Sequence, residues 1–124
     1  EFTELDGEMP WDTFFGGTAY DVVMQLDTGN ALRGGSHVGQ FVERYPYRAL
    51  TVHLKPYSTE AGKDDPNLGY KPVIGDDSIP WAELFGQLED FGGVRWYIVE
   101  YESDLYPPLQ AVEVCLQRLK EMGK

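Results

Sequence analysis

A chain of 124 residues with 21 Asp plus Glu against ten Lys plus Arg, formal charge −11, lacks the basic patch that a nucleic-acid partner requires. Its 42% hydrophobic and 14% aromatic content is that of one packed domain over residues 1–124, not of a disordered segment. No run approaches the roughly 18 apolar residues of a membrane span, no charged-then-apolar segment opens the chain, and one cysteine excludes an internal disulfide or a multi-thiolate zinc site. The expectation is a soluble, cytoplasmic protein with no nucleic-acid or membrane partner.

In chain order, "MPWDTFFGG" predicts a short helix stopped by Gly16 and Gly17. "DVVMQLDTGN" predicts a strand over 22–27. "SHVGQFVERYP" then sets Val38, Phe41, Val42 and Tyr45 at helical spacing before Pro46. "RALTVHLKPYS" gives a second strand over 49–54, followed by a long connection from Pro56 to Ser78 of the length that is usually functional or disordered. Its acidic pairs, Asp64–Asp65 and Asp76–Asp77, read as solvated loop. In "SIPWAELFGQLEDFGG" Ser78 is the expected N-cap, with Pro80 in the first turn, an apolar stripe of Trp81, Leu84, Phe85 and Leu88, and Gly92 as terminator. A third strand spans 95–100. "PPLQAVEVCLQRLKEMG" closes as an amphipathic helix that buries Cys115 as an inert thiol. Trp11, Trp81 and Trp96 read as core residues rather than sugar-stacking platforms, and His37 as a surface or capping histidine.

Strand followed by helix, three times over, with strands apolar on both faces, predicts a parallel sheet covered by helices. Ligands of such sheets bind outside the carboxyl ends of the strands. Each strand here delivers an ionisable residue to that end: Asp27, His53 and Glu100. Period-two alternation puts Lys55 on the face of His53 and Glu102 on the face of Glu100. A bare solvated strand end explains any one of these residues, whereas three at equivalent positions point to convergence. Two carboxylates and an imidazole suit Mn²⁺, Mg²⁺ or Co²⁺, with Zn²⁺ also compatible.

"QLDTGN", "VHLK", "IGDDSIPW" and "WYIVEYE", in this order and spacing, resemble the carboxyl-terminal half of the sugar phosphate isomerase/epimerase family, whose fold is a xylose-isomerase-like TIM barrel. "EFTELDG" resembles the end of that family's fifth strand. The resemblance covers nearly the whole chain and implies a partial (β/α)8 barrel containing strands six to eight. It implies a divalent metal held by Asp27, His53 and Glu100, with a fourth ligand upstream of Glu1. Glu100 is then both ligand and proton acceptor in isomerisation through an enediolate, and Lys55 stabilises that intermediate or a substrate phosphate; an interior lysine paired with a carboxylate explains Lys55 equally well. Glu1 and Asn30 become substrate-binding residues; Glu102 as a substrate-binding residue and Arg33 have weaker support, since an exposed salt bridge explains either one. The sequence departs from the pattern at Asn30, where some relatives carry histidine, and at Pro56, where an acidic residue is common. A lyase or dehydratase on the same scaffold and a non-catalytic binding module are the alternatives. Because a barrel needs about 250 residues, the expectation is a homodimer or association with a missing amino-terminal half.

Overall fold

The computed structural model describes all 124 residues, Glu1–Lys124. Three apolar runs pair as a parallel sheet: β1 (Leu26–Asp27), β2 (Thr51–Leu54) and β3 (Trp96–Val99), in the order β1-β2-β3. Five helices accompany them: α1 (Pro10–Gly17), α2 (Thr28–Arg33), α3 (Gln40–Arg44), α4 (Trp81–Gln87) and α5 (Pro108–Glu121). The architecture is α/β, with a small three-stranded parallel sheet. No helix is long and apolar enough to cross a membrane.

Register fixes what each face carries. Asp27 pairs with His53 and His53 with Ile98, while Leu26, Val52 and Tyr97 form the adjacent row. Since side chains alternate, Leu26, Val52 and Leu54 point to one face, where they are fully buried in a cluster of 21 apolar residues supplied largely by the helices. The opposite face holds Thr51, His53, Trp96 and Ile98 and is uncovered. Trp96 is 68% exposed and Ile98 39%. This corrects the expectation of strands covered on both sides, and of Trp96 as core: it shares the open face with His53. Trp11 and Trp81 are buried as expected, and so is Cys115.

The regular strands are shorter than the apolar runs suggest. Val22 and Val23 are solvent-exposed, so β1 begins only at Leu26, although Met24 N–H already donates to the Arg48 carbonyl at 2.8 Å. Helix α2 was not expected. The helix foreseen from Val38 onward is confined to Gln40–Arg44, and α4 runs on into a π-helical turn, Leu88–Gly92. Gly93, rather than Gly92, ends that turn: its φ of 66° lies in the left-handed region, and a Cβ there would lie 3.2 Å from Tyr47 Cα.

The start of α4 also differs from expectation. Ser78 does not cap the helix; its hydroxyl accepts from Thr59 N–H at 3.0 Å and thereby ties down the long loop. Asp77 organises the turn instead, accepting from Ile79 N–H at 2.6 Å, Gly75 N–H at 3.2 Å and the Trp81 indole at 2.9 Å. It is half-buried, so only its neighbour Asp76 fits the reading of a solvated pair. Burial pushes the Asp77 pKa up to about 6, against the three donors that favour the charged form. A carboxyl with a folded pKa above its unfolded value contributes stability that is complete below about pH 4 and lost as pH rises through about 6. Urea unfolding should therefore show the wild type losing about 1–3 kcal/mol relative to Asp77→Asn between those limits. Parallel pH profiles would show that the donors win.

At the amino end of β2, Arg48 is 5% exposed and has no carboxylate partner. Its guanidinium donates to the carbonyls of Phe15 at 2.8 Å and of Ala19 and Val22 at 3.1 Å, and to the Thr18 hydroxyl at 2.9 Å. The rings of Phe15, Tyr20 and Tyr45 surround it. It thus fastens the chain leaving α1 to the foot of the sheet.

Candidate functional site

The "DTGN" segment is built around the first carboxylate. Asp27 is the last residue of β1 and the N-cap of α2, and its Oδ1 accepts from Asn30 N–H at 2.8 Å. That leaves Oδ2 for the site. The buried Thr28 hydroxyl donates to the Lys55 carbonyl at 2.8 Å and accepts from Lys55 N–H at 2.9 Å, so one side chain satisfies both backbone groups where β2 ends. Gly29 lets β2 pass close by: a Cβ there would lie 2.8 Å from Lys55 Cγ and 2.9 Å from its carbonyl oxygen. Thr28 and Gly29 drew no attention in the sequence because their work is done across the sheet.

Asp27, His53 and Glu100 do converge. One potential ligand atom from each lies within 4.8 Å of the others. His53 Nδ1 is 2.5 Å from Glu100 Oε2 and 3.9 Å from Asp27 Oδ2. Below them Lys55, 3% exposed, places its ammonium 2.9 Å from Glu100 Oε1, 3.0 Å from Glu102 Oε2 and 3.4 Å from Asp27 Oδ2. Lys55 is therefore an interior cation held by three carboxylates, and Glu102 belongs to that network rather than to an unrelated surface pair.

The electrostatics follow from this packing. Burial works against the Lys55 charge, but the hydrogen bonds to Glu100 and Glu102 and the field of Asp27 outweigh it and raise its pKa, so the side chain stays an ammonium. Burial also acts to raise Glu100, yet the Lys55 hydrogen bond and charge, with His53, bring it below its ordinary value. Asp27 goes the other way, raised chiefly by burial. At neutral pH the cluster thus presents an ionised Glu100 beside a fixed cation.

Tyr70, a residue the sequence reading passed over, forms the far wall. It ends a short 3-10 turn, Pro66–Tyr70, whose start is fixed by Asn67 N–H donating to the Asp65 side chain at 3.0 Å. The loop after β2 is consequently not structureless. Buried Tyr70 donates its hydroxyl to Asn30 Oδ1 at 2.7 Å, and its ring centroid lies 5.4 Å from Lys55 Nζ and 5.6 Å from Arg33 Cζ. Asp-Pro-Asn was a readable turn signal, but nothing local announced which ring it would place. Glu1 lines a cavity of about 340 Å³ with Thr3, Asn30 and Arg33, beside the cluster rather than in it. His37 is exposed and lies 3.4 Å from Glu83.

No protein-family profile, no curated protein and no solved structure matches this chain.

Proposed function

We propose that the chain is part of a metal-dependent sugar isomerase or epimerase, a partial TIM barrel in which Asp27, His53 and Glu100 hold a divalent ion. The carrying observation is the approach of those three side chains, from three successive strand ends, to within 4.8 Å. Ligand distances of about 2–2.6 Å allow one ion to bridge such a set. Two hard carboxylate oxygens with a single imidazole fit Mn²⁺, Mg²⁺ or Co²⁺, and Zn²⁺ is compatible. When bound, the ion would polarise a substrate carbonyl and hydroxyl.

The chain's own groups supply the rest. Lys55 keeps Glu100 ionised, so it can accept a proton from a carbon next to a carbonyl; the same cation lowers its basicity and favours the ligand role. The buried Lys55 ammonium offers electrostatic stabilisation to an enediolate oxygen. Asn30 and Glu102 flank the approach and offer hydrogen bonds to hydroxyls. Soluble, cytoplasmic sugar metabolism suits this chemistry.

Mn²⁺ titration by calorimetry should give one site per chain, abolished in His53→Ala; absence of binding at millimolar Mn²⁺ would remove the metal reading. Across a panel of ketoses, Glu100→Gln should lower kcat by about 10²–10⁴-fold with a smaller change in KM. Cleavage of keto-glycosides in place of ketose interconversion would favour the lyase alternative.

In this reading the open sheet face and the two free strand edges are closed by a second polypeptide layer. The isolated 124-residue chain is expected to recruit a second copy, since Trp96 and Ile98 are otherwise left in water. Light scattering should return a dimer. A cooperatively unfolding monomer of 14.0 kDa would count against the barrel.

A further inference from the structure

The carboxylates at the strand ends are not wholly free to meet an ion, because the chain's own donors already hold one oxygen of each. Asp27 Oδ1 accepts from the Asn30 amide at 2.8 Å, Glu100 Oε1 lies 2.9 Å from Lys55 Nζ, and Glu102 Oε2 lies 3.0 Å from the same ammonium. What faces His53 Nδ1 is one oxygen from each of two residues: Glu100 Oε2 at 2.5 Å and Asp27 Oδ2 at 3.9 Å. Asp27 Oδ2 also lies 3.4 Å from Lys55 Nζ, a looser contact than a charge-assisted hydrogen bond.

The hold of Lys55 on its two glutamates is firm, since the residue is fastened from its backbone outward. The Thr28 hydroxyl bonds both its N–H and its carbonyl. Gly29 packs so tightly on the aliphatic stem that a Cβ would lie 2.8 Å from Cγ and 3.1 Å from Cδ, and the Tyr70 ring centroid stands 5.4 Å from Nζ. The side chain is 3% exposed, so swinging the ammonium out to water would break up this packing.

How many oxygens a site supplies decides which hard cation it suits. Ca²⁺ takes about six to eight oxygen ligands and readily uses a carboxylate through both oxygens, whereas Mg²⁺ is bound through about one or two carboxylates and keeps several waters. We propose that Lys55 sets the ion selectivity of the site: by holding one oxygen each of Glu100 and Glu102, it restricts the carboxylates to single-oxygen ligation and disfavours Ca²⁺ against smaller divalent ions. This rests on the metal reading and adds to it which ions the centre refuses, a property that the identities of the three ligand residues do not decide.

The experiment is competition between Ca²⁺ and Mn²⁺ on the full chain, read from the electron paramagnetic resonance signal of free Mn²⁺. Removing one positive charge tightens all divalent ions alike, while freeing oxygens favours the ion that uses more of them. The quantity to follow is therefore the ratio of the Ca²⁺ to the Mn²⁺ dissociation constant. Lys55→Met should lower that ratio by about tenfold or more, because Glu100 and Glu102 regain their second oxygens. Glu102→Gln, which leaves Lys55 on Glu100, should shift both ions together and keep the ratio within about twofold of the wild type. An unchanged ratio in Lys55→Met, or an equal fall in Glu102→Gln, would overturn the role of Lys55.

The wild type supplies a second measurement that does not depend on the stability of Lys55→Met. In ¹⁵N spectra of the lysine side chains the sheltered Lys55 ammonium should stay visible at saturating Mg²⁺. Its disappearance would show that the ion displaces the lysine and takes the second Glu100 oxygen, which also overturns the proposal. Mn²⁺ binding with an unchanged ratio removes only the selectivity role, whereas failure of Mn²⁺ to bind the wild type removes the metal reading and the selectivity together.

Discussion

Replacing Arg48 by methionine is expected to lower the stability of the fold by about 2–4 kcal/mol, a large fraction of what a domain of this size possesses. Methionine approximates the volume and keeps contact with the rings of Phe15, Tyr20 and Tyr45, so the loss isolates the hydrogen bonds. Those bonds satisfy the carbonyls of Phe15, Ala19 and Val22, where the backbone leaves α1 and turns toward β1. An unmet buried carbonyl costs about 1–3 kcal/mol; the bond to Phe15 is buried, and those to Ala19 and Val22 are partly buried and cost less to lose. Lysine is no substitute, since one ammonium cannot reach so spread a set of acceptors. Urea unfolding with far-UV detection is the measurement. A loss below about 1 kcal/mol would mean that water replaces the guanidinium and that the cage of carbonyls and rings holds it loosely.

Lys55→Met is the second substitution with a large effect, and its effect depends on metal. Removing the cation leaves Asp27, Glu100 and Glu102 facing one another without compensation. Breaking a fully buried pair costs roughly 3–5 kcal/mol; because Glu100 and Glu102 reach water, about 2–4 kcal/mol is expected for the metal-free chain. Mn²⁺ should restore much of this, since a divalent ion brought to Asp27 and Glu100 meets more unbalanced negative charge in the variant than in the wild type. Thermal unfolding with and without Mn²⁺ tests the point: the upward shift in Tm on adding Mn²⁺ should be larger for the variant. Equal shifts would mean that Lys55 and the ion do not sense each other, and the shared-carboxylate geometry would lose its meaning.

The site was legible where its logic is local. Period-two alternation along three apolar runs, joined to the rule that parallel sheets gather ligands at the strands' carboxyl ends, was enough to bring Asp27, His53 and Glu100 together. The stripe of Trp81, Leu84, Phe85 and Leu88 likewise revealed its helix, because all four are buried. What escaped depends on contacts between distant segments. Trp96 carries no local mark that its face of the sheet is bare, so its bulk suggested a core position. Asp77 looked like half of a solvated acidic pair, yet the Trp81 indole and two backbone amides hold it in place. Tyr70 lies in a stretch that reads as unpatterned loop and gains its importance only when folding brings Asn30, Arg33 and Lys55 around it.

The division of labour within the Asp27 carboxylate has a practical consequence for watching the site. One oxygen holds the Asn30 amide and the other faces His53 and Lys55, so whatever grips the second oxygen redistributes charge on the first. Under the proposed metal reading the Asn30 amide resonance is a built-in spectroscopic gauge: its shift should move as Mn²⁺ is added to the wild type and stand still in His53→Ala, reporting on the cluster from the first turn of a neighbouring helix.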